Sequence, residues 1–205
     1  MSSLDKRLFE KREFARVVHL PSDYHVFDLS SGPMVMPEGQ QYAVGKYNEL
    51  RPDIYNAEQF KNADNPELIR NIHIGVDIFG PRNTPIHSFD DGVVFSREYN
   101  HLELDYGYTL IVEYQIEGNK FYALYGHLSK ASFEHNPPGK AISKGEEFAW
   151  MGDVHENGGW TPHLHLQLCT EQPDVCDMPG VVCQQDITKM LERYPDPRFV
   201  LGNLY

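Results

Sequence analysis

The rhythm of apolar and polar positions changes twice along the chain. Residues 1–17 set Leu, Phe and Val among many charges at roughly helical spacing, which predicts a short amphipathic helix. Residues 20–56 are interrupted by Pro21, Pro33, Pro37 and Pro52 and by several glycines, so they read as irregular chain hugging the surface. Residues 57–70 accommodate one or two helical turns around Pro66. From His73 onward, short runs of Val, Ile, Tyr and Phe alternate with turn residues. Strands are predicted over 92–99, 108–116, 120–125, 147–151 and 163–169, with Glu117-Gly118-Asn119 marking a hairpin. Strands at this spacing, joined by hairpins, predict an antiparallel β core rather than a parallel sheet. Residues 184–194 predict a late helix stopped by Pro195. The expected organisation is a helix and irregular extension over 1–56, followed by a mainly β domain over 57–205 that ends in a helix and tail.

Composition narrows the partners. A chain of 205 residues fits one domain with decorated ends and is long enough to bury a core. The 12% aromatic content, with 12 Tyr and 11 Phe, suits strands. A net charge of −12 opposes nucleic acid, anionic membranes and acidic polymers, and favours a cationic or zwitterionic substrate. No apolar stretch follows the basic residues near Met1, and no run approaches the length of a membrane span. These features read as cytoplasmic, with export after removal of a signal as the alternative. Cys169, Cys176 and Cys183 lie seven residues apart; the odd count fits a reducing compartment, and the spacing is not the usual zinc pattern. Plain thiols are expected, with one disulfide among the three left open. The pattern does not fix an oligomeric state.

Three histidine-bearing motifs carry the chemistry: His73-Ile-Gly-Val-Asp77, Tyr125-Gly-His127-Leu-Ser129 and Pro162-His163-Leu-His165-Leu. On a strand, positions i and i+2 share a face, so His163 and His165 look one way while Leu164 and Leu166 look into the core. Alone, that pair serves equally well as exposed surface. A straight strand would separate the Cα atoms of His73 and Asp77 by about 13 Å, too far to share one ion, so the chain must bend. Gly75 at the midpoint tolerates the required backbone angles. Taken together, two imidazoles and one carboxylate form the nitrogen and oxygen set that zinc prefers, and they leave a coordination position for water. Such a water needs a base, and the oxyanion it forms on a carbonyl needs stabilising. His163, beside His165, and His127, from a separate strand end, are the candidates for those tasks.

The order His-x-x-x-Asp, Gly-His-Leu, Pro-His-Leu-His over residues 73–168 resembles the lysostaphin-type, or LytM-type, zinc endopeptidases. The stretch from Gly139 to Gly152, Gly-Lys-Ala-Ile-Ser-Lys-Gly-Glu-Glu-Phe-Ala-Trp-Met-Gly, is also similar. The resemblance implies a small antiparallel β core with a groove over one zinc ion held by His73, Asp77 and His165. It also implies His163 and His127 as the catalytic pair, one as base and one stabilising the transition state. The expected reaction is hydrolysis of a peptide or small amide bond. A silent or latent module of the same fold and an amidase of a small metabolite are the alternatives. The chain departs from secreted members: it lacks a tyrosine just upstream of His73, and His155-Glu-Asn-Gly-Gly-Trp-Thr replaces the usual Gly, Ser and Thr run. The segment Arg51-Pro-Asp-Ile-Tyr is similar to a subgroup found in intracellular proteins, sometimes fused to an aminotransferase. Arg70, His155 and Trp160 are candidate substrate contacts, and Arg70 is also placed to pair with Asp77. His19, His25, His87, His101 and His135 read as surface or locally bonded histidines.

Overall fold

A computed structural model of the chain describes residues 9–55, 57–62 and 64–205. Strands β1 (His25–Val26), β2 (Ala43–Gly45) and β3 (Glu49–Leu50) come first. Next are β4 (Ile72–His73), β5 (Val76–Phe79), β6 (Pro85–His87), β7 (Gly92–Asn100), β8 (Gly107–Ile116) and β9 (Asn119–Leu128). Helix α1 (Lys130–His135) leads to β10 (Ala141–Ile142), β11 (Glu147–Trp150), β12 (His163–Cys169) and β13 (Val181–Val182). Helices α2 (Ile187–Arg193) and α3 (Arg198–Leu201) follow.

The large sheet has eight strands in the order β1-β2-β5-β12-β9-β8-β7-β10. Every pairing in it is antiparallel except β1 with β2. A two-stranded sheet joins β11 to β6, and a three-stranded sheet has the order β13-β4-β3. The architecture is mainly β, as the pattern predicts. The β8–β9 hairpin turns on two residues, Glu117 and Gly118, at φ 48° and 82°, and Asn119 already pairs with Ile116. Two successive left-handed residues match the twist of the flanking strands, which is why glycine stands there.

Both faces of the large sheet are covered. Leu110, Val112 and Tyr114 of β8 join Leu164, Leu166 and Leu168 of β12 in one core. Their alternate neighbours Ile111, Tyr122 and Leu124 join Ile72, Ile74 and Met178 in a second. Each fully buried leucine contributes about 1.5–3 kcal/mol. The imidazole face of β12 therefore looks into this second, covered layer and not into solvent.

Several sequence expectations need correction. The helix expected over 1–17 lies outside the described residues up to residue 8; Phe9 and Glu10 are helical, but residues 12–16 are not. There Ala15 donates to the Phe89 carbonyl and Val17 accepts from His87, so burial of Phe9 and Val17 in the main core overrides the helical spacing. Residues 20–56 are not wholly irregular, because β2 sits inside the large sheet with Ala43 and Val44 fully buried. The other regions follow the pattern. Turns of 3-10 helix occupy Glu58–Phe60 and Pro66–Leu68. A further 3-10 turn, Gln184–Asp186, runs into α2, which ends just before Tyr194 and Pro195. Among the described residues no helix is long and apolar enough to cross a membrane.

Candidate metal centre

His73 and Asp77 belong to different sheets. His73 pairs across β4 with Val181 and Glu49, whereas Asp77 pairs across β5 with His165 and Gly45. The bend required by the spacing is thus a change of sheet at Ile74-Gly75. The role of Gly75 differs from the expectation. Its φ is not left-handed. Instead, a Cβ there would lie 2.3 Å from His165 Cε1 and 2.5 Å from Nε2, so glycine is needed for the ring to approach the backbone.

The structure brings His73, Asp77 and His165 together, all buried, as a set able to hold a metal ion. His73 Nε2 lies 3.1 Å from His165 Nδ1 and 3.2 Å from Asp77 Oδ1, and His165 Nδ1 lies 3.0 Å from the same oxygen. Three ligands on a tetrahedral ion with bonds of about 2 Å stand about 3.3 Å apart, so the donor atoms fit zinc. The far side of each group is tied down. His73 Nδ1 donates to the Lys46 carbonyl at 2.9 Å, which leaves the Nε2 lone pair facing the centre. His165 Nε2 donates to Gln167 Oε1 at 3.0 Å, and Gln167 Nε2 in turn donates to the Pro179 carbonyl, which fixes the amide orientation. Arg51 Nη1 donates to Asp77 Oδ2 at 2.8 Å, leaving Oδ1 for the centre. Outer bonds of this kind set the tautomer and orientation of metal ligands.

His127 and His163 complete the cluster. Their ring centroids are 4.1 Å apart, and His163 Nε2 is 3.9 Å from Asp77 Oδ1. His127 is a bulge residue: between the Tyr108–Leu128 and Leu110–Tyr125 pairs, Gly126 and His127 face Thr109 alone. Its φ is 62°, uncommon outside glycine. Bulges beside sites re-aim a side chain, and here the bulge sends His127 into the cavity. His127 Nδ1 donates to the Asn157 carbonyl at 2.8 Å, and His163 Nδ1 to that of Thr161 at 2.7 Å. Neutral His127 therefore presents a bare lone pair at Nε2, and it donates toward an oxyanion only after taking up a proton there. The expected division between a base and a donor is not set by the resting tautomers, since both rings rest as acceptors.

Burial, reinforced by the Arg51 charge, pushes His73 down to about 4. Burial and the neighbouring imidazoles hold His127 well below the ordinary value, and burial lowers His163. For Asp77, burial alone would raise the carboxyl; the charges of His73 and Arg51 and the bonds from the His165 and His73 imidazoles overcome it and keep it well below 3.8. Near neutral pH these histidines carry lone pairs and the aspartate its charge, the protonation states that a metal requires.

The cluster forms the floor of a cavity of about 380 Å³. Ile54, Tyr55, Phe60, Tyr106 and Met178 are among the residues that line it. Of the expected substrate contacts, Trp160 and Arg70 line the cavity. Trp160 packs 6.2 Å from His127 and 6.3 Å from His163, between ring centroids. Arg70 does not pair with Asp77: its Nη2 donates to the Gln59 carbonyl, and the guanidinium lies over Phe60. His155 is exposed, 3.9 Å from Asp153, and is not among the residues lining the cavity. The residues missed by sequence reasoning are the holders of the site. Gln167 was detectable, because it continues the alternation His163, His165 on one face of β12. Lys46 had no local signal, and Arg51 and Asn157 stood in noted stretches with no sign of this role, since all three reach the site from other elements.

The chain matches peptidase family M23 over residues 71–176, just over half its length, and it belongs to that family. Among solved structures it is similar to a zinc-containing peptidase from Vibrio cholerae at 26% identity and a TM-score of 0.40, covering 51% of this chain and 29% of that one. It is similar to the catalytic domain of lysostaphin from Staphylococcus simulans at 20% identity and a TM-score of 0.42, covering 58% and 80% of the two chains. It is also similar to a mutant form of the catalytic domain of the prophage-encoded M23 protein EnpA from Enterococcus faecalis, at 22% identity and a TM-score of 0.42, covering 66% and 85%. The chain thus spans less than a third of the Vibrio cholerae protein. No curated protein matches it.

Proposed function

We propose that this chain is a zinc-dependent hydrolase of peptide or small amide bonds, with His73, Asp77 and His165 as metal ligands and His163 and His127 as the proton-handling pair. The observation that carries this reading is the convergence of three donor atoms to 3.0–3.2 Å, each with its other polar atom already engaged. When bound, zinc supplies Lewis acidity, polarising a carbonyl and lowering the pKa of water. The chain supplies the rest. The lone pair of His163 Nε2, beside Asp77, accepts the proton released by the attacking water. The resulting imidazolium donates it to the leaving amine. His127 Nε2, on the same cavity floor, accepts a hydrogen bond from the attacking water and orients it. Tyr55, Tyr106 and Trp160 line the cavity and offer aromatic surface for a substrate to pack against.

Ile54, Tyr55, Gln59 and Phe60 crowd a cavity of about 380 Å³, which favours a short peptide or a small amide over a long polymer. The three free, buried thiols support a reducing compartment as the place of action. The reading is tested by His165→Ala. Zinc content and hydrolysis of a peptide library are expected to disappear together. Hydrolysis that persists in zinc-free variant protein sinks the mechanism.

A further inference from the structure

Arg51 lies outside the span that matches the family, yet it is among the most buried side chains of the molecule, 1% exposed. Burying a guanidinium is costly unless its donors are paired. Here Nε donates to Glu49 Oε2 at 2.9 Å, Nη1 to Asp77 Oδ2 at 2.8 Å and to the Tyr55 hydroxyl at 3.1 Å, and Nη2 to the Lys46 carbonyl at 3.2 Å. So many partners leave little capacity for a substrate. Glu49 is itself anchored, accepting from the Leu29 backbone at 3.1 Å. Room for the guanidinium is made by Gly45, the cross-strand partner of Asp77: a Cβ there would sit 2.7 Å from Arg51 Nη2 and 3.1 Å from Asp77 Oδ2. The same short connection also supplies the Lys46 carbonyl that orients His73.

We propose that Arg51 is a positioning residue for the metal centre: it occupies Asp77 Oδ2 so that Oδ1 alone is offered to the ion. The inference rests on the metal-site reading above and gives residues 45–51 a role in that site. Residues 45–51 then belong to the metal centre, and loss of their contacts weakens metal binding. A planar fork that grips one carboxylate oxygen while bonding Glu49 is particular to arginine; lysine is a point charge with a different reach.

The experiment compares the intact chain with Arg51→Lys. Zinc affinity is measured by competition with a chromophoric chelator, cobalt(II) absorption reports ligand geometry, and the melting temperature is taken in the chelator-treated protein. Loss of an outer bond of this kind weakens metal binding by about 10–100-fold. The expected result is a rise of that order in the zinc dissociation constant, together with an altered cobalt spectrum. A purely structural ion pair would lower the metal-free melting temperature and leave affinity and spectrum unchanged, and that result overturns the proposal. If Arg51→Lys does not fold, Gly45→Ala is read in the same assays. It keeps Arg51 and its charge but crowds the guanidinium against Asp77, and an unchanged affinity and spectrum there also overturn the proposal. Failure of the intact chain to bind zinc would instead sink the metal-site reading itself.

Discussion

Each polar group at the centre has one atom committed outward and one left for the site, and that division is what makes the cluster chemically useful. His73, His165, His127 and His163 each donate one ring N–H to a carbonyl or amide oxygen, so their lone pairs face inward without rearrangement. Gly75 protects this arrangement by its missing side chain. Gly75→Ala puts a methyl group inside contact distance of the His165 ring. The ring must turn, breaking the bond to Gln167 and pulling Nδ1 away from His73 and Asp77. The expected outcome is a loss of about 1–3 kcal/mol of stability from overpacking, read by urea denaturation. Zinc affinity is expected to fall with it, read by titration. A variant with intact affinity would show that the ring has room not apparent here. Gly75 was legible as special in the sequence, but for the wrong reason, because spacing along one strand carries no information about a ring arriving from another.

The elements differ in how much of them local pattern could specify. β8, β9 and β12 repeat apolar residues with strand periodicity, and their hairpin carries glycine where a left-handed residue is needed, so they were legible. The segment over 9–17 was not, because Phe9, Phe14 and Val17 sit at a spacing that suits a helix as well as an extended chain folded onto a core. β12 shows how an element serves two ends at once: Leu164 and Leu166 anchor the strand in the main core, while His163 and His165 face the site. Leu166→Ala therefore tests anchorage separately from chemistry. Its expected cost is about 2–5 kcal/mol, measured by chemical denaturation. Zinc binding by the fraction that remains folded should be retained. A cost near zero would mean that the two-sided core is looser than its burial implies.

At the scale of the whole molecule, buried histidines link the fold to pH. The folded-state values of His73, His127 and His163 lie below the ordinary 6.5, so the unfolded chain binds protons that the folded chain resists. Stability of the metal-free protein is then fully present above about 6.5 and falls as pH drops through that value toward the folded pKa, near 4 for His73. Asp77, held below 3.8, adds its own loss at still lower pH. Urea midpoints of the chelator-treated protein are expected to be lower at about pH 5.5 than at about pH 7.5, with a shallower dependence in His127→Gln. An equal or higher midpoint at the acidic pH contradicts the account. The sequence by itself determined the β character, the main strands, and the five residues His73, Asp77, His127, His163 and His165, because periodicity and motif order are local properties of the chain. Only the tertiary structure decided that His73 and Asp77 meet across a change of sheet, that His127 enters through a bulge, and that Arg51 and Lys46 bond Asp77 and His73 from a segment before the family match. These depend on register and packing between elements distant in sequence, and each is set by the free energy of the whole core, which no single stretch of residues contains.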